Sequence, residues 1–266
     1  MIKREPDLPP SRFERSFRTW VRDCLLRCGW DVRRTVSYVE ARYAEWHRRE
    51  LAKWRLIRNY SPRTVLDIGA NTGQFAELVR ELLPEARIIS FEPLRDCFEL
   101  LTGQTNRLAP FIAYPFALGS ENATARMHHN HSSPSSSLLV MDCLHHEELP
   151  NTVNTVVEDV QIRRLDDLES ELLLEDPVFV KIDVQGYTEP VLRGGERVIR
   201  RASAIVAEVS VQPLYRGETT FDQVCTLLTG WGFVYRGNVD QWSSERDGRI
   251  LQCDCLFENI HRSEIV

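Results

Sequence analysis

The sequence predicts an α/β fold, with a central, mostly parallel sheet of seven strands and helices on both faces. From Thr64 onward, short apolar runs of strand type alternate with helical patterns, an order typical of βαβ units. Each helical pattern is long enough to cover a face of the sheet. With 266 residues, the chain can hold one such domain and an appendage.

Seven strands and four helices follow in chain order. Each strand is a short β-rich apolar run, and each helix repeats apolar residues at three- and four-residue steps. The strands are predicted at Thr64–Ile68, Arg87–Phe91, Phe111–Ala117, Val178–Ile182, Ala204–Val209, Phe233–Arg236 and Ile250–Phe257. The helices are predicted at Gln74–Leu83, Arg95–Thr102, Thr188–Arg200 and Phe221–Trp231.

A helical extension precedes this domain. Apolar residues recur at helical spacing in residues 13–28 and again in residues 36–57. We therefore expect an N-terminal helical extension over residues 1–60 and the α/β domain over residues 61–260.

An insertion interrupts the alternation at residues 120–171. It holds a Ser-rich run, five of the seven histidines and one strand-like stretch, Thr155–Ile162. Long insertions in compact domains are usually functional or disordered. We expect this one to overhang the strand ends near the active site.

Charge is unevenly distributed along the chain. Residues 1–58 carry 15 Lys and Arg against 8 Asp and Glu, whereas the whole chain carries 33 against 39 and a formal charge of −6. A basic extension permits peripheral contact with an anionic membrane surface or with nucleic acid. The same charges also suit a solvated helix surface, which is the simpler interpretation.

Cysteine usage and hydropathy indicate a cytoplasmic protein. The seven cysteines are an odd number without a repeated C-x-x-C pair, and no apolar leader opens the chain. No stretch reaches the ~20 apolar residues that a membrane span needs. No ligand set has metal-site spacing, so we expect no metal, while a homodimer stays open.

The most specific signal is the segment Thr64–Gly73, where a buried strand runs into D-x-G-x-x-x-G and then into a helix. Gly69 and Gly73 let backbone approach a ligand. The G-x-G-x-x-G that seats a pyrophosphate is absent, and the acid Asp67 instead suits the positively charged methionine moiety and sulfonium of S-adenosylmethionine. The predicted cofactor-binding residues in this segment are Asp67, Gly69, Ala70, Asn71 and Gly73.

The ends of the next two strands extend this predicted cofactor site. The second strand ends at Phe91 and is followed by Glu92 and Pro93, which places Glu92 to accept both ribose hydroxyl protons. Ala117 and Leu118 end the third strand and are predicted to border the adenine.

The fourth and fifth strands carry the candidate catalytic residues. Asp183 follows the fourth strand, and in an open α/β sheet the ligand crevice lies where strand order reverses, so Asp67 and Asp183 should flank it. Glu208 ends the next strand and is a candidate for the acceptor pocket, although a structural salt bridge explains it equally well. His131 is one of the five insertion histidines that Asp183 could orient as a base.

The chain resembles the FkbM-type methyltransferase family over roughly residues 60–257. The motifs that carry the resemblance are the Asp67–Gly73 loop, Phe91–Pro93, Ala117–Gly119, Ser135–Leu138, Leu165–Leu168 and Lys181–Tyr187. The resemblance implies a Rossmann-like class I methyltransferase fold and adds Ser137 to the cofactor-binding residues. It also implies methyl transfer from S-adenosylmethionine to a hydroxyl of a polyketide, glycan or other secondary metabolite.

One position departs from this family. Its members commonly carry Glu two residues after the glycine of the fourth-strand motif, where this chain has Thr188, followed by Glu189. A shift of one residue rotates a helical side chain by about 100°. We therefore expect the function of that acid to be absent or relocated in this chain.

Three other functions compete with methylation of a hydroxyl group. Methylation of nucleic acid is permitted by the basic extension and disfavoured by the acidic body, and its usual motifs are missing. A non-catalytic scaffold that only binds the cofactor is conceivable because of Thr188. A nicotinamide oxidoreductase is excluded only by the glycine pattern.

Overall fold

The computed structural model describes residues 33–130, 135–152 and 155–262. The chain divides into two compact units, residues 1–53 and 54–266. In the first unit the structure describes helix α1 (Arg33–Trp54), whose last residue is the first residue of the second unit. This helix covers most of the helical pattern predicted for residues 36–57. The first predicted helix, residues 13–28, lies outside the described residues, and the domain boundary at residue 60 stays a prediction.

The second unit contains all of the described strands. They are β1 (Thr64–Ile68), β2 (Arg87–Phe91), β3 (Phe111–Tyr114), β4 (Ala117–Leu118), β5 (Ala123–His129), β6 (Val156–Arg163), β7 (Val178–Ile182), β8 (Ala202–Ser210), β9 (Phe233–Ser243) and β10 (Ile250–Asn259). The helices of this unit are α2 (Gln74–Leu82), α3 (Arg95–Thr102), α4 (Thr105–Leu108), α5 (Cys143–Glu148), α6 (Glu169–Leu172), α7 (Thr188–Gly194), α8 (Glu196–Ile199) and α9 (Phe221–Gly230).

Seven strands form the central sheet in the order β3-β2-β1-β7-β8-β10-β9. The neighbours from β3 to β8 run parallel, and β10 lies antiparallel between β8 and β9. This confirms the predicted mostly parallel sheet. The strand order reverses between β1 and β7, so the segments that follow these two strands meet at one edge of the sheet.

The predicted third strand, Phe111–Ala117, is wrong in its extent. β3 leaves the central sheet after Tyr114, and β4 pairs instead with Ile162 and Arg163 of β6. Together with β5 these strands form a second sheet in the order β4-β6-β5. The insertion therefore contributes two strands, β5 and β6, to an ordered sheet. β6 matches the predicted strand-like stretch Thr155–Ile162, whereas sequence patterns missed β5 because it exposes alternate residues and carries few apolar ones.

The predicted helix Thr188–Arg200 is broken into α7 and α8. A Cβ atom built on Gly194 would lie 1.8 Å from the carbonyl oxygen of Gly119. This close approach packs the end of α7 against the turn after β4, and a regular helix of side-chain-bearing residues would not fit there. The chain bends at Gly195, where a Cβ would lie 2.9 Å from the Leu165 side chain.

Apolar residues on the sheet strands form the main core. Leu66, Val180 and Ile205 are fully buried in the centre of this sheet, and helix residues such as Leu192 and Val224 cover them. Within the residues that the structure describes, no helix is long and apolar enough to cross a membrane.

Candidate active site

The glycine loop after β1 approaches the segment after β7 at very short range. Gly69 has a φ of 85° and Gly73 one of 97°, in the region that favours glycine. A Cβ atom on Gly69 would lie 1.8 Å from the carbonyl oxygen of Asp183. The backbone N–H groups of Gly69 and Ala70 both donate to the Phe91 carbonyl oxygen at 3.0 Å. The loop is thus held between the ends of β2 and β7.

Glu92, directly after β2, accepts a hydrogen bond from this loop. Its Oε2 accepts the Asn71 N–H and its Oε1 accepts the Leu94 N–H, each at 2.8 Å. The residue is 5% exposed. Burial raises the pKa of Glu92 to about 7, although the two N–H donors act to lower it. Each carboxylate oxygen keeps a second lone pair for a further donor.

Asp67 lies deeper than the other acids of the site. Its side chain has no exposed surface, and Ser90 Oγ donates to Oδ2 at 3.3 Å. Oδ1 has no hydrogen-bond partner among the described residues. Burial raises the pKa of Asp67 to about 6, and the nearby Lys181 ammonium limits the rise.

Asp183 occupies the edge of the sheet between β1 and β8. Lys181 Nζ donates to Oδ2 and Gln185 Nε2 donates to Oδ1, both at 2.9 Å. The Asp183 side chain keeps 32% exposure, whereas that of Lys181 keeps 10%. Burial alone would raise the pKa of Asp183, but the Lys181 ammonium and the hydrogen bonds hold it below its usual value. Asp183 is therefore an ionised group that solvent can reach.

Glu208 lies close to Asp183, and its pKa is shifted in the opposite direction. Gln185 Nε2 donates to Glu208 Oε1 at 2.7 Å. Burial and the neighbouring Asp183 and Asp254 carboxylates raise the pKa of Glu208 well above its usual range. Since two adjacent carboxyl groups do not readily ionise together, Glu208 keeps a proton while Asp183 is charged.

Comparisons with known proteins agree with this geometry. A family described as the methyltransferase FkbM domain matches residues 67–235. The chain belongs to the FkbM methyltransferase family. This confirms the resemblance, and the strand order agrees with the class I methyltransferase fold predicted from it.

Two curated proteins and one solved structure are similar to this FkbM methyltransferase. The 2-O-methyltransferase NoeI of Sinorhizobium fredii is 28% identical over 176 residues, which are 64% of this chain and 72% of NoeI. The methyltransferase sdnD of Sordaria araneosa is 26% identical over 209 residues, 70% of this chain and 79% of sdnD. A similar solved structure is that of magnesium protoporphyrin IX methyltransferase from Synechocystis PCC 6803 with bound SAM. The two chains are 10% identical, the superposition covers 80% of this chain and 78% of the other, and the TM-score is 0.42.

Two residues that sequence reasoning missed hold the acidic pair of the FkbM methyltransferase. Gln185, with a φ of 50°, bridges Asp183 and Glu208, and the Tyr215 hydroxyl donates to Gln185 Oε1 at 2.7 Å. His145 Nε2 lies 3.3 Å from the same hydroxyl. Gln185 belongs to the fourth-strand motif, so the motif could have revealed it. Tyr215 lies in the segment after β8, and nothing in its local sequence marks it.

Several predicted cofactor-binding residues have buried side chains. Phe91 is 1% exposed and stacks on Tyr114 with ring centroids 5.4 Å apart, and Leu118 is 2% exposed. Ala117 is buried as well, while Pro93 is half-buried beside Glu92. The side chains of Phe91, Ala117 and Leu118 therefore lie inside the protein, and Ala117 and Leu118 belong to the second sheet rather than to the end of a central strand.

The remaining predicted residues come from the insertion. Ser137 is fully buried, and its hydroxyl donates to the carbonyl oxygen of Gln185 at 2.6 Å. It joins the insertion to the segment that carries Asp183. His131 lies outside the described residues, so its predicted role stays untested.

The departure at Thr188 has a structural explanation. The Thr188 hydroxyl donates to the carbonyl oxygen of Glu208 at 3.0 Å and is buried. The Glu189 carboxylate binds Arg193 at 2.5 Å and the Thr219 hydroxyl at 2.9 Å. Thr188 thus supports the strand that carries Glu208, while the adjacent acid is used in other contacts.

Proposed function

We propose that this FkbM methyltransferase transfers the methyl group of S-adenosylmethionine to a hydroxyl oxygen of a small molecule or glycan. The observation that carries the proposal is the position of Asp183. It is ionised, partly exposed and directly beside the glycine loop. This is where a base for an acceptor hydroxyl is needed.

The chemistry of the strand ends suits this cofactor. Gly69 and Gly73 leave room for backbone contact, and the spare lone pairs of Glu92 can accept ribose hydroxyl protons. The acids Asp67 and Asp183 make the edge favourable for a positively charged ligand. When bound, the sulfonium cofactor supplies an electrophilic methyl group.

Asp183 then serves as the base, directly or through one water molecule. Asp183 would accept the proton of the acceptor hydroxyl on one of its carboxylate oxygens when that hydroxyl is methylated. Lys181 keeps the carboxylate ionised before this step, and Gln185, which also donates to Glu208, orients it. Binding and orientation provide most of the catalysis because the methyl group is already reactive.

The name of one relative supports oxygen as the methylated atom. NoeI is named a 2-O-methyltransferase. The exposed fraction of the Asp183 carboxylate is the part of the site that an acceptor hydroxyl can reach. An acceptor with several hydroxyl groups would be held by the polar rim formed by Asp183, Gln185 and Glu208.

Calorimetric titration tests the proposal. Purified protein free of carried-over cofactor is titrated with S-adenosylmethionine and S-adenosylhomocysteine, with NAD as control. Micromolar binding of the first two supports the proposal, and a panel of hydroxylated acceptors then tests for methyl transfer. Preference for NAD, or no binding of either sulfur compound by folded protein, would contradict it.

A further inference from the structure

A second group of reactive side chains lies between α3 and β5. The carboxylate of Asp96, the thiol of Cys97 and the imidazole of His129 offer ligand atoms that all lie within 4.8 Å of one another. Asp96 is exposed, Cys97 is half-buried and reduced, and His129 is 2% exposed. The mechanism proposed above uses none of these three residues.

A carboxylate fixes the orientation of the His129 ring. Nδ1 lies 2.6 Å from Glu158 Oε1, and Nε2 faces Asp96 Oδ2 at 3.5 Å. A histidine that binds a metal typically donates its other ring N–H to a carboxylate, which selects the tautomer with a free lone pair on the coordinating nitrogen. The Glu158–His129 contact has this arrangement, and Nε2 then faces Asp96.

We propose that Asp96, Cys97 and His129 form a binding site for a divalent cation of the zinc type. Sulfur, imidazole nitrogen and carboxylate oxygen are the ligand types that zinc accepts, and three protein ligands leave a fourth position for water. Sequence spacing does not predict this site, because its ligands lie in two distant segments. Only the packing of α3 against β5 brings them together.

The charge around the thiol favours a cation. The carboxylate of Asp96 lies within the cluster, and the carboxylate of Glu158 contacts the His129 ring. A bound dication would balance the Asp96 carboxylate and the Cys97 thiolate, and the thiol proton would leave to solvent.

The ion would join two parts of the fold near the cofactor-binding edge. α3 begins directly after Leu94, whose N–H donates to Glu92. β5 belongs to the second sheet. A cation held by both elements would therefore restrain the turn that contains Glu92 and raise the stability of the fold.

Metal binding by the full-length chain tests this site independently of catalysis. Metal-free protein is titrated with ZnCl₂ by calorimetry and with CoCl₂ by absorption spectroscopy. We expect binding of one zinc ion per chain and, with cobalt, a sulfur-to-metal charge-transfer band with the intense d–d bands of four-coordinate geometry. Zinc should also raise the melting temperature.

Variants identify the ligands. Cys97→Ser should abolish the charge-transfer band, and Asp96→Asn, at an exposed side chain, should weaken zinc binding at least tenfold without disturbing the fold. Cys143→Ser and Cys225→Ser are matched controls and should bind as the unmodified chain does. Absence of zinc binding, or an unchanged charge-transfer band in Cys97→Ser, would overturn the proposed site. Cofactor binding is measured separately, so failure of this site is distinguishable from failure of the proposed function.

Discussion

The ammonium group of Lys181 lies 2.9 Å from Asp183 Oδ2, and it is almost completely enclosed by protein. The Lys181 ammonium is also 5.4 Å from the centre of the Phe75 ring. A buried charge of this kind needs its partner, because removal of one member leaves the other uncompensated. The pair therefore fixes the ionisation state of Asp183, on which the proposed chemistry depends.

Asp183→Asn should reduce kcat about 100-fold or more, because an amide cannot accept the hydroxyl proton. Affinity for S-adenosylmethionine should change much less. Steady-state kinetics and calorimetry measure the two effects, and circular dichroism checks the fold. Asp247→Asn, at an exposed aspartate, is the control. A kcat within about twofold of the unmodified value would exclude Asp183 as the base.

Glu208→Gln should remain active, with kcat lowered by less than about tenfold. Glutamine resembles the protonated glutamic acid in shape, and its side-chain oxygen can still accept from Gln185 Nε2. Glu208→Ala removes this hydrogen bond and should lower kcat further. If Glu208→Gln is as inactive as Asp183→Asn, then Glu208 is the ionised group and the assignment of the pair is reversed.

Tyr215→Phe should lower kcat and destabilise the fold by about 1–2 kcal/mol, because Gln185 Oε1 loses a buried donor. KM should change little, since Tyr215 acts through Gln185. Tyr235→Phe is the matched control, because its hydroxyl bonds Asn238 at an exposed site. Denaturant unfolding and kinetics measure both variants, and equal effects of the two substitutions would argue against a positioning role for Tyr215.

Gly69→Ala should abolish cofactor binding or prevent folding, because its Cβ would overlap the Asp183 carbonyl oxygen. Gly217→Ala separates this clash from backbone strain. Gly217 has a comparable φ of 77°, yet a Cβ there would meet nothing within 4 Å. The control should lose only about 1 kcal/mol. Similar losses of stability and cofactor binding in both variants would show that positive φ, not the clash, dominates at Gly69.

His145 should make the fold sensitive to mild acid. Burial, with a smaller contribution from His146, lowers the pKa of His145 from 6.5 to about 4. The unfolded chain then binds more protons than the folded one between these values, so this contribution to stability is present above the unfolded pKa and is lost as pH falls. The loss between about pH 7 and pH 5 is about 2 kcal/mol.

His145→Gln should remove that part of the pH dependence. Urea unfolding of the variant and the unmodified chain, compared across this pH range, measures the difference in slope. His261→Gln, at an exposed histidine, should leave the slope unchanged. A slope that is the same in His145→Gln as in the unmodified chain would show that His145 is not neutral in the fold.

Local patterns predicted which segments meet at the edge proposed to bind the cofactor. They place the Gly69 loop, Glu92 and Asp183 directly after apolar strands. Because parallel strands carry their carboxyl ends to one edge, these residues meet without further knowledge of the packing. The same reasoning failed where pairing was not local, as in the strand predicted through Ala117, which instead divides between two sheets.

The sequence by itself determined the alternation of strands and helices, the glycine loop and the acids at the strand ends, because each depends on spacing within one segment. Only the tertiary structure decided which acid is charged, since that depends on Lys181, on burial and on the proximity of Glu208. It also decided that Tyr215 meets Gln185 and that His129 meets Cys97. Such contacts join distant segments, and spacing within one segment does not predict them.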